Sequence, residues 1–162
     1  AWLNHVLPAN DASLGLRAET DPGSRGDTFV QCESFVFEVK LQKPAYVMVM
    51  DLNSDGKLIV LYPTRASERE IIAAGSPRAI PSTDPKARIL VTAPFGTDQV
   101  AVVAFEKQPS FFADQNGVQP FGSDDARAQA IAKGLAGTSG GVGVQQMAVR
   151  TYPATGKVSC GT

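Results

Sequence analysis

With 162 residues, 15 Lys and Arg against 16 Asp and Glu, and a single His, the chain is nearly neutral and of a size to bury one substantial core. Neither sign of charge gathers into a block, which argues against nucleic acid as a partner. The longest apolar runs, such as VAVVAF at 100–105, fall far short of the roughly 20 residues that span a bilayer, so a soluble segment with no membrane span is expected.

The chain opens AWLNHVLPA, with no initiator Met, basic leader or long apolar run, and reads as a mature chain or a piece of a longer one. Residues 1–27 read as an N-terminal extension, frayed at its start, with a short strand SLGLRAE at 13–19 and the loop DPGSRGD at 21–27. A domain is expected over 28–152, followed by a tail at 153–162. In SFVFEVKL, Phe35, Phe37, Val39 and Leu41 alternate with polar positions, the period of two of a half-buried strand. AYVMVMDL at 45–52 is continuously apolar, as in a central strand, and SDG then joins it to KLIVLYP at 57–63 in a hairpin with a two-residue Asp55-Gly56 loop. Short edge strands are expected around Ile71 and Ile80, restrained by Pro77, Pro81 and Pro85. RILVTAP and DQVAVVAFE, joined by FGT, predict a second hairpin over 88–106. A helix is predicted near 124–135, with Ser123 as N-cap, Asp124 and Asp125 in its first turn and Gly134 and Gly137 as stops. VGVQQMAVRTY at 142–152 closes the pattern as an alternating strand. The fold class this predicts is mainly β: an antiparallel β-sandwich of immunoglobulin-like or Greek-key type with one C-terminal helix.

DLNSDGK places Asp51, Asn53, Asp55 and Gly56 where an EF-hand loop has its first ligands, but its twelfth position is Tyr62 instead of a bidentate Glu, and strands flank it where helices are required. A hairpin turn explains the residues without a metal. The glycine-rich GLAGTSGGVG at 134–143 follows a helix and lacks the Lys of a phosphate loop, so it reads as a connector. His5, the sole histidine, lies in the N-terminal segment and offers no base for a nucleophile. The RGD tripeptide at 25–27 reads as a polar turn. No catalytic residue, metal ligand or cofactor is therefore assigned, although a concave cluster of Asp51, Asp98 and Arg88 would revive an enzyme reading. Cys32 and Cys160 either form a disulfide that ties the tail to an early strand or are two separate buried thiols. Phe111, Phe112 and Phe121 either pack beneath a loop or form a candidate contact patch for a partner.

AYVMVMDLNSDGKLIVLYP and ILVTAPFGTDQVAVVAFEKQP together resemble a bacterial domain of unknown function, the 4384 family, with its Asp/Gly turn, its aromatic-Pro strand ending and its Pro-Phe-Gly turn. The resemblance covers roughly 29–109, more weakly 127–152. It implies an accessory domain, often attached to caspase-like peptidases and sometimes to kinases, in envelope or secreted proteins, and it carries no catalytic residues; Cys32 is not to be read as a caspase-type nucleophile. The expected function is a non-enzymatic, extracytoplasmic module that binds a protein partner or a neighbouring domain of its own polypeptide. The alternatives are a module binding carbohydrate or cell-envelope polymer, and a small enzyme with an unrecognised pocket.

Overall fold

A computed structural model describes residues 2–20, 26–81, 84, 86, 88–156 and 159–160. Most of the DPGSRGD loop, Arg25 included, and Pro85 fall outside the described residues. In chain order the elements are α1 (Trp2–Val6), β1 (Arg17–Thr20), β2 (Thr28–Val30), β3 (Phe37–Lys40), β4 (Tyr46–Leu52), β5 (Leu58–Tyr62), β6 (Arg78–Ile80), β7 (Gly96–Phe105), α2 (Ala126–Ala136) and β8 (Val142–Tyr152). Three short 3-10 turns, at Ala12–Leu14, Ala66–Arg69 and Ser110–Asp114, complete them.

The strands form two sheets, one of three strands in the order β1-β3-β6 and one of five in the order β2-β8-β7-β4-β5. All pairings are antiparallel except β2 with β8, which is parallel and departs from the all-antiparallel expectation. The fold is thus mainly β, with two mostly antiparallel sheets and little helix.

β4 and β7 explain the layering. A strand presents alternate side chains to opposite faces, and both faces of these strands are apolar, as for a strand covered on both sides. Val47 and Val49 of β4 and Val100, Val102 and Ala104 of β7 join Phe37, Val39 and Ile80 of the small sheet in one core. Met48, Met50, Ala101, Val103 and Phe105, from the other face, join Ala128, Ile131 and Leu135 of α2 in a second core. The large sheet is the shared middle layer.

Several local expectations are corrected. The α2 cap is Asp125, whose carboxylate accepts the Arg127 N–H at 2.8 Å, because Asp125 still turns back to Gly122 through its own N–H. The helix runs through Gly134 and ends at Gly137; a Cβ at 134 would sit 2.3 Å from Cδ1 of Phe111, so that glycine makes room for a ring instead of stopping the helix. No hairpin forms over 88–106. The segment before β7 leaves the large sheet, contributes a single bridge from Leu90 to Ser34 and passes through a cis Ala93–Pro94 bond, after which Gly96 enters β7 at φ 143°. The start of the chain is ordered as α1, which buries Leu3 in the second core.

Of the two readings of Phe111, Phe112 and Phe121, packing and not an exposed contact patch is found, for all three are buried. The 3-10 turn at Ser110–Asp114 drives Phe111 and Phe112 beneath α2, edge-on to Phe105 at centroid distances of 6.1 and 5.9 Å. Phe121 exchanges both backbone hydrogen bonds with Leu58 at the edge of β5, and the Arg127 guanidinium covers its ring at 4.4 Å. Cys32 and Cys160 are bonded to each other with their Cα atoms 4.9 Å apart.

Candidate functional site

The polar residues of the first core lie at one end of it. Alternation along β4 puts Asp51 on the same face as Val47 and Val49, towards the small sheet. The β4/β7 register sets Asp51 opposite Val100, so Asp98, two residues earlier on the same face of β7, is its diagonal neighbour. Two acids 47 positions apart thereby meet where apolar side chains would be expected. Asp51 is 1% exposed and Asp98 3%.

The two carboxyls hydrogen-bond to each other, and the Ser54 backbone N–H donates to Asp98. Burial first, then the hydrogen bond and the charge of Asp98, push the Asp51 carboxyl up to about 9. Asp98 is raised as well, by its burial, and the hydrogen bonds it accepts from Asp51 and Ser54 only partly oppose that rise. The proton of the pair therefore resides on Asp51 and the negative charge on Asp98, the division expected of adjacent carboxyls that cannot both ionise. One oxygen of each, Oδ1 of Asp51 and Oδ1 of Asp98, has no hydrogen-bond partner despite being buried. Such atoms are costly, at about 1–3 kcal/mol each, and call for an explanation.

Both carboxyls line a cavity of about 230 Å³. Phe35, Ile59, Leu61, Ile89 and Pro94 give it apolar walls, and Val118, Gln119 and Pro120 form part of its lining from the loop after the last 3-10 turn. The wall at 89–91 is not part of a sheet; it is held by Phe35 N–H to Ile89 O, Val91 N–H to Glu33 O and Cys32 N–H to Val91 O, at 2.8, 2.8 and 2.9 Å. The Cys32–Cys160 bond is therefore fastened to the strip that braces this wall.

The calcium-loop residues diverge. Asp51 points into the cavity, whereas Asn53 Oδ1 accepts the backbone N–H groups of Asp55 and Lys57, both at 3.0 Å, and so staples the turn. Asp55 is exposed at the tip, and Gly56 takes φ 77° there. With Asn53 N–H bonded to Lys57 O, the connection is longer than the expected two-residue loop. Of the anticipated trio, Asp51 and Asp98 are brought together, while exposed Arg88 is not in the cavity lining. Among the described residues no group of three or more His, Cys, Asp or Glu is placed to hold a metal ion, and no helix is long and apolar enough to cross a membrane. Sequence reasoning named both acids but had no means of seeing their shared proton, because that depends on the β4/β7 register.

A family model described as "Domain of unknown function (DUF4384)" matches residues 28–108, a span that includes both acids and most of the cavity. No curated protein and no solved structure matches the chain.

Proposed function

From the premise that the chain belongs to the DUF4384 family, domains of unknown function, we propose a non-enzymatic, extracytoplasmic accessory module that binds a protein partner or a neighbouring domain of its own polypeptide. In this reading the two sheets make an immunoglobulin-like sandwich, and its binding end is the cavity over Asp51 and Asp98. The observation that carries it is the pair of unsatisfied carboxyl oxygens on two acids that line a cavity with apolar side chains on its walls. Apolar pockets with a few convergent polar groups are the common form of a recognition site. The disulfide between Cys32 and Cys160 supports an oxidising compartment. With Phe111, Phe112 and Phe121 buried, the binding surface moves from the helix side of the large sheet to this end of the inter-sheet core.

A photo-crosslinking residue placed at Val118, which is 37% exposed beside the cavity, tests the reading in the native host against the same residue at exposed Gln129 on α2. A discrete adduct from position 118 and none from 129 is expected; equal labelling from both, or none from 118, refutes it. A second reading, an enzyme, is favoured by the shared proton itself, since Asp51 and Asp98 form an acid and a base side by side. It requires that Asp51→Asn abolish turnover of a substrate without weakening its binding.

A further inference from the structure

We propose that the cavity over Asp51 and Asp98 receives a primary alkylammonium, the side chain of a lysine presented by the protein partner. The inference rests on the binding role proposed above and names the chemistry that the site recognises.

The first argument is charge. Two carboxyls, both more than nine-tenths buried, each leave Oδ1 without a donor. Among the described residues lining the cavity there is no Lys, Arg or His, so they offer these oxygens no cation. What is missing is a donor group with positive charge. The second argument is size. A cavity of about 230 Å³ lies below the roughly 300–1,000 Å³ of pockets for drug-sized ligands, and fits one long side chain. Its lining is mixed, and apolar side chains such as Phe35, Ile59 and Leu61 can flank the aliphatic stem of a lysine. The third is geometry. The unpaired acceptors belong to two different carboxyls, whereas a guanidinium fork best matches both oxygens of one. An ammonium, a compact charge with three donors, serves two separate acceptors. Asn53 Oδ1, an amide oxygen at the cavity, is already committed to two backbone N–H groups, which weighs against a hard cation needing six or more oxygens.

Binding a cation beside the pair favours ionisation of both acids, so the proton on Asp51 is released as the amine enters. Affinity then rises with pH while the amine stays charged. The groups facing Asp51 make this assignment clean: β7 contributes Asp98, β5 contributes Ile59 and Leu61, the 89–94 wall contributes Thr92, and the 118–120 loop contributes Gln119. Only Asp98 among them titrates.

The test is a titration of the isotopically labelled chain with n-butylammonium, n-butanol and calcium chloride, followed by NMR shifts of cavity-lining amides. Saturable shifts confined to the cavity with n-butylammonium, absent with n-butanol, and a tightening between about pH 6 and about pH 8 towards the tenfold per pH unit of one released proton, are expected. In Asp98→Asn the affinity should fall about tenfold or more, the loss of a charge-assisted bond. Equal shifts with n-butanol would mean an apolar hole only and would overturn the inference, as would stronger shifts with calcium or silence with n-butylammonium. The wild-type arms decide the matter even if the variant fails to fold. Silence with n-butylammonium alongside a persistent position-118 crosslink overturns the lysine chemistry and leaves the partner-binding role. Selective n-butylammonium binding with no crosslink supports the chemistry and refutes that role.

Discussion

The two faces of the five-stranded sheet are built from the same strands yet are finished differently. On the helix side, Met48, Met50, Ala101, Val103 and Phe105 meet Phe111, Phe112, Ile131 and Leu135, and apolar packing runs on to Phe121 and Leu58 at the sheet edge. On the other side Val47, Val49, Val100 and Val102 are equally dry, but the next positions along both strands are Asp51 and Asp98. One face spends its alternation on packing alone; the other interrupts it where a cavity opens between the large sheet, the 89–94 segment and the 118–120 loop. The contrast separates a layer that only packs from a layer that carries the cost of two buried acids, a cost that the proposed binding role would explain.

The largest effect that would break the comparison is expected on the dry side. Phe112 is fully buried, edge-on to Phe105 and Phe111 at 5.9 and 5.8 Å. Phe112→Ala should cost about 3–5 kcal/mol in urea unfolding while leaving n-butylammonium binding unchanged. If binding were lost in the folded fraction, the two faces would not be independent. On the cavity side, Cys160→Ser opens a link spanning 128 positions, with an expected loss of about 2–4 kcal/mol. Because Cys32 sits on the strip that braces the 89–91 wall, the same variant should raise amide exchange at Ile89 and Val91 more than at Ile131. Uniform exchange would show that the bond acts on the unfolded chain alone.

Much of the dry framework was legible in the sequence, and the reasons are local. β8 spans Val142–Tyr152 and β4 Tyr46–Leu52, close to where alternation and apolar runs placed them, because those patterns report burial directly. The 88–106 hairpin was misread: RILVTAP has strand composition, but its backbone leaves the large sheet before Ala93–Pro94 and braces Glu33–Phe35 instead. The parallel β2/β8 pair joins Thr28–Val30 to residues about 120 positions later, which no local pattern encodes. Phe111 and Phe112 carry the same letters whether they lie under a helix or in solvent. The site showed only as a conditional cluster of Asp51, Asp98 and Arg88, for the same reason as β2/β8. Asp51 was visible as part of a turn motif, and only the register with β7 turns it into half of an acid pair.

That pair gives the next smaller prediction. The Asp51 carboxyl is raised in the folded chain from an ordinary value near 4 to about 9. Between those values the unfolded state gives up the proton and the folded state keeps it, so stability is highest at the acid end and falls as pH rises towards 9, with Asp51 alone contributing at most about 1.4 kcal/mol per pH unit. Asp51→Asn keeps the shape, donates to Asp98 and has no proton to lose. It should flatten the fall of melting temperature between about pH 5 and about pH 9 and stabilise the protein by about 1–3 kcal/mol at alkaline pH. A wild-type melting temperature that rises across this range would refute the protonated pair.

The smallest effect separates the two remaining residues of the DLNSDGK motif and sharpens the line between scaffold and site. Asn53 Oδ1 accepts two backbone N–H groups across the turn that leaves β4 just after Asp51, so Asn53→Ala should cost about 1 kcal/mol or slightly more. Asp55, exposed at the tip, should tolerate Ala within about 0.5 kcal/mol. A calcium loop would make the opposite demand: both residues would be ligands, both variants would weaken calcium-dependent stabilisation, and millimolar calcium would raise the wild-type melting temperature. Unequal variants in a calcium-indifferent protein would place the motif's chemistry in Asp51 alone, with Asn53 and Gly56 serving to turn the chain so that β5 can wall the cavity into which Asp51 faces.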